Sequence, residues 1–143
     1  MKRATISIPG IVQSLIADSA IAATGSTLSR PPLFTPDHEP ALRLACRDAF
    51  RIVALQLSAY TCAVHTDGDT PAIDLDPALA IDPDLVARSI ETIVAAHVLR
   101  LMHAAAYPAL AAVHAARAAA ALAALHRRIV ASAPAPGRIR PAP

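Results

Sequence analysis

The chain has 143 residues, 55% of them hydrophobic and 3% aromatic, with four glycines, two cysteines and no tryptophan. That length fits one domain able to bury a core without disulfides or metal, and so few glycines leave little scope for a site in which backbone amides cradle a nucleotide. The net charge of +2 conceals an uneven layout: residues 67–91 carry one arginine and seven acids, whereas residues 92–143 carry six arginines and no acid. Such a layout suits self-complementary docking, or an anionic partner for the C-terminal part.

Alanine accounts for 35 residues and buries little area, so the core must rest on the larger apolar side chains. Periodicity predicts an all-α fold, a small bundle of about three helices over 10–24, 38–66 and 83–131. Residues 1–131 read as a single helical domain and residues 132–143 as a Pro/Arg-rich extended tail.

At the N-terminus, Met1-Lys2-Arg3 and the apolar residues after it have the outline of a signal peptide, but Pro9, Gly10, Gln13, Ser14 and Asp18 interrupt any hydrophobic region. Residues 5–8 alternate like a short strand. Ile11, Val12, Leu15 and Ile16 then fall on one face of the first helix, with Gly25 as its stop. Residues 26–40, with Pro31, Pro32, Pro36 and Pro40, read as an extended linker.

Asp37 is the expected N-cap of the helix over 38–66. Arg43, Arg47, Arg51, Ser58, Thr61 and His65 share one stripe of it. The remaining arc carries Leu44, Cys46, Phe50, Ile52, Val53 and Leu57, and is wide enough to need partners on more than one side. Asp48 and Gln56 fall inside that arc. On one helix, Cys46 and Cys62 stand about 24 Å apart, which predicts two buried free thiols in a reducing compartment.

Residues 67–82 read as an acidic loop, in which Asp76-Pro77 and Asp82-Pro83 each supply an N-cap and a first-turn proline. The long helix from 83 meets Pro108, which must kink or break it. Fourteen of the 21 residues from Ala104 to Ala124 are alanine, helical on propensity and smooth enough for a close partner. His97, Arg100, His103, His114 and Arg117 interrupt the apolar run, so it is not read as a membrane span.

No catalytic, cofactor or metal residues are assigned. His103 and His114, eleven residues apart on a continuous helix, would stand about 16 Å apart, too far to share an ion. Asp67, Asp69, Asp74 and Asp76 could ligate calcium, but their spacing departs from an EF-hand loop, and a solvated loop is the expectation. The stretch Tyr60 to His65 resembles the Cys-x-x-Cys-then-His helix of alkylhydroperoxidase D-like proteins only in part. Ala59 stands where the first cysteine would be, and the histidine comes one residue early. The interaction candidates are Arg127, Arg128, Arg138 and Arg140, with Asp67, Asp69, Asp74 and Asp76 as a docking counterpart. Together these features predict a non-enzymatic assembly subunit in a homo-oligomer or larger protein assembly, cytoplasmic or virion-associated. The alternatives are a helical regulatory or nucleic-acid-associated protein using the basic C-terminal segment, and a small thiol-based redox protein.

Overall fold

The computed structural model describes residues 2–24 and 34–134. The chain is mostly helical, but it also holds a three-stranded antiparallel sheet, so the all-α expectation is corrected. In order come β1 (Lys2–Thr5), α1 (Ile8–Thr24), α2 (Glu39–Gln56), β2 (Thr61–His65), β3 (Ala72–Leu75), α3 (Pro83–His103) and α4 (Pro108–Ser132).

The sheet runs β1-β3-β2, with β3 in the centre. Residues 5–8 were expected to be extended; the strand is instead Lys2–Thr5, and Ile8 already belongs to α1. β1 pairs with β3 in the register Arg3 with Asp74 and Ala4 with Ile73, and β2 pairs Ala63 with Asp74 and His65 with Ala72. Gly68 turns the β2–β3 connection at a φ of 72°, a left-handed conformation that favours glycine. Ala4, Ile73 and Leu75 point from one face of the sheet into the core. Arg3, Asp74 and His65 lie on the other face.

The helix expected over 38–66 ends at Gln56. Leu57 closes it with its N–H on the carbonyls of Val53 and Ala54, and a short turn at Ser58–Tyr60 leads into β2. Cys46 and Cys62 therefore sit on different elements. Both are free, but only Cys46 is buried; the exposed Cys62 corrects the expectation of two buried thiols. The cap of α2 is also displaced from expectation. Residues Pro36–His38 form a single 3-10 turn before it, and the N-cap position is His38 instead of Asp37. Phe34, at the described end of the 26–40 linker, is buried, and its N–H donates to Ser19 Oγ at 2.8 Å.

One core joins all layers: Ile6 and Ile8, Val12 of α1, Leu42, Phe50 and Val53 of α2, Ile90, Ile93 and Val94 of α3, and Leu125 and Ile129 of α4. Asp82 caps α3 as expected, its carboxylate accepting from Asp84 N–H at 3.0 Å, with Pro83 in the first turn. Asp76-Pro77 opens one turn and no helix, with Leu79 N–H on Asp76 O. Pro108 breaks the long helix outright. α3 stops at His103, residues 104–107 reverse the chain, and Pro108 opens α4 in its first turn, where its missing N–H costs nothing. The two helices form an antiparallel hairpin, the largest helix–helix interface among the described residues.

Candidate interaction surface

Two aspartates of the acidic segment, Asp74 and Asp69, are paired with arginines, whereas Asp67, Asp76, Asp82 and Asp84 stay exposed. Asp74 is 3% exposed although it lies on the outer face of the sheet, because its own partners cover it. Arg3 donates from Nε to Asp74 Oδ1 at 2.7 Å and from a terminal nitrogen to Oδ2 at 3.2 Å, and His65 Nε2 lies 2.9 Å from Oδ2. One carboxylate thus ties all three strands, and its hydrogen bonds from Arg3 and then His65 hold its pKa down at about 2. Asp69 is the second anchor. Arg43 reaches Oδ2 at 3.1 Å and Arg47 reaches Oδ1 at 2.8 Å, and Arg43 also bonds Glu39 at 2.6 Å. These bonds hold the β2–β3 loop onto α2. Asp76 Oδ1 accepts from Ala78 N–H at 2.9 Å in its own turn, and Asp67 is exposed. The four aspartates do not converge, and no group of three potential metal ligands occurs among the described residues.

The hairpin corrects the separation expected for its histidines. Chain reversal brings the His103 and His114 rings together, centroids 5.3 Å apart and planes 14° from parallel. Tyr107 meets His103 edge-on at 6.0 Å. Both histidines are at least nine-tenths buried, and Nδ1 of each lacks a hydrogen-bond partner. Burial lowers the pKa of His114, and His103 and Arg117 lower it further, so His114 favours the neutral imidazole. Burial, then Arg100, lowers that of His97 as well. A cavity of about 470 Å³ lies beside this stack, lined by Ser14 of α1, Glu91, Thr92 and Leu99 of α3, and His114 and Arg117 of α4. Burial raises the Glu91 pKa.

The thiols offer little chemistry. Burial raises the Cys46 pKa to about 11, which leaves it protonated and unreactive. Cys62 sits on a strand, at an irregularity in the β2–β3 pairing. The partial likeness to a redox helix therefore has no helix to rest on.

The outward-facing surface includes two apolar helix faces and a basic end. Seen from α3, α4 buries Ala111, His114, Ala118, Leu125 and Ile129, a seam at the three- and four-residue spacing of a helix pair. On its opposite side Ala109, Val113, Ala116, Ala120, Ala123, Arg127 and Val130 repeat the same spacing, and every one is exposed. α2 likewise leaves Leu44, Ile52 and Leu55 at 59%, 48% and 75% exposure on one stripe beside the Asp48–Arg51 pair. The arc expected to need several partners packs against both α1 and α3, but its Leu44 and Ile52 are left open. By length and composition alone α4 could cross a membrane, and only 22% of its most apolar window is buried. Arg127 and Arg128 are exposed near its C-terminal end, whereas Arg138 and Arg140 lie outside the described residues. No family model, curated protein or solved structure matches the chain.

Proposed function

We propose that this protein is a non-enzymatic assembly subunit, and that copies of the chain pack through the outer seam of α4. The observation that carries this reading is the second, unfilled seam: seven exposed positions at coiled-coil spacing, four of them alanine and two valine, on the helix that also packs α3. Small side chains let two helix backbones approach closely, and the exposed stripe on α2 adds a further apolar face of the kind that marks protein contacts when contiguous. The acids and arginines of the sheet are consumed in pairing, and Cys46 is inert. A virion component is one setting for such a subunit.

Solution mass measured over a range of concentrations tests this, on the whole chain and on a chain lacking residues 132–143. Growth in mass with concentration supports the proposal, and loss of that growth on truncation would give the tail a share in assembly. A concentration-independent monomer in both forms would refute it. A second reading, non-specific contact with nucleic acid, rests on Arg100, Arg117, Arg127 and Arg128 with no acid between Glu91 and Pro134; it requires binding that weakens steeply as salt rises.

A further inference from the structure

We propose that the tip of the α3–α4 hairpin inserts into the surface of an anionic lipid bilayer. The sixteen residues from Leu101 to Ala116 contain no Asp, Glu, Lys or Arg. At the turn they present Leu101 at 52% exposure, Met102 at 37%, Tyr107 at 50% and Leu110 at 41%. The fully buried core ends at Val98 on α3 and Leu125 on α4, with Leu99, Ala121 and Leu122 packed at its margin, and none of the four exposed tip side chains belongs to it. Arg100 and Arg117 bracket the tip, one on each leg, and no acidic residue lies between Glu91 and Pro134.

This arrangement matches the layers of a membrane surface. Apolar side chains enter the acyl boundary, a tyrosine ring sits at the headgroup level, and arginines reach the lipid phosphates from either side. A second copy fits the tip less well, because two tips face to face would bring Arg100 and Arg117 of each together with no acid to offset them. Insertion is shallow: Leu125 and Ile129 fix the far end of α4 in the core, so α4 cannot leave the body to span the bilayer. The four exposed tip side chains are not among the seven of the outer seam of α4, and assembly along that seam would place several tips on one membrane.

The chain has no tryptophan, so Tyr107→Trp in the full-length protein gives a single reporter. Its emission is expected to shift to the blue on adding vesicles of phosphatidylglycerol and phosphatidylcholine, and to stay unchanged with phosphatidylcholine alone. An arginine beside an anionic surface strengthens binding about fivefold; Arg100→Gln and Arg117→Gln together should therefore weaken co-sedimentation with the anionic vesicles by roughly 25-fold. Leu110→Asp should abolish it, with Met102→Asp as an independent variant and circular dichroism confirming that each folds. The proposal is overturned if the anionic vesicles cause no shift, if Leu110→Asp and Met102→Asp both fold and bind as the parent does, or if concentrating the lipid-free protein alone produces the shift, which would assign the tip to a second copy.

Discussion

At the level of single residues, the charges that look available in the sequence are mostly internal fastenings. Asp74 is the central one. Its pKa is held at about 2, below the ordinary 3.8, by Arg3 and then His65. The unfolded chain therefore takes up the proton first as pH falls. The stabilisation is complete above about pH 4 and is lost as pH drops toward 2. Asp74→Asn is expected to flatten the acid limb of a denaturation profile, measured as the urea midpoint against pH, while lowering stability at neutral pH. The thiols give a second check at this scale. In the native protein a soluble thiol reagent should modify Cys62 quickly and Cys46 only on unfolding, so mass spectrometry should find one adduct under native conditions and two in denaturant. None of the sheet contacts could be read from spacing, because Arg3 and Asp74 are 71 residues apart and meet only through strand register.

Among the elements, α1, the capped start of α3 and the interruption at Pro108 were readable, since each rests on a local signal: an apolar face, an Asp-Pro pair, an interior proline. The strands were not. Thr61 and His65 stay in helical phase with Arg43, Arg47 and Arg51, so β2 reads as a continuation of α2. All four residues of β3 are buried, which erases the alternation that reveals a strand with one solvated face. The histidine pair escaped for a related reason. On one continuous helix His103 and His114 are far apart, whereas the reversal at residues 104–107 stacks them. His97 and His114 make the hairpin sensitive to acid. Both have pKa values below the ordinary 6.5, so the unfolded state binds protons first and stability should decline as pH falls below about 6.5. His114→Gln should reduce the slope in that window without touching the limb due to Asp74. At the proximal end, Leu125 is 1% exposed, and Leu125→Ala should cost about 2–5 kcal/mol in chemical denaturation, the range for a fully buried leucine.

For the molecule as a whole, the balance lies between what one copy hides and what it leaves bare. The core is closed by the sheet, α1, one side of α2, and the α3–α4 pair as far as Leu125. The outer seam of α4, the stripe from Leu44 to Leu55 on α2 and the hairpin tip lie outside it. Alanine abundance in the sequence foretold a smooth helix, but not that one side of it would be occupied by α3 and the other left open. Sedimentation velocity on the intact protein and on Ala120→Glu addresses the seam most directly, because Ala120 is exposed at its middle and a glutamate there leaves the α3 side untouched. The expected result is a concentration-dependent oligomer for the parent chain and a folded monomer for the variant. A monomeric parent, or a variant that associates as strongly as the parent, would contradict the assignment of α4 as the assembly helix.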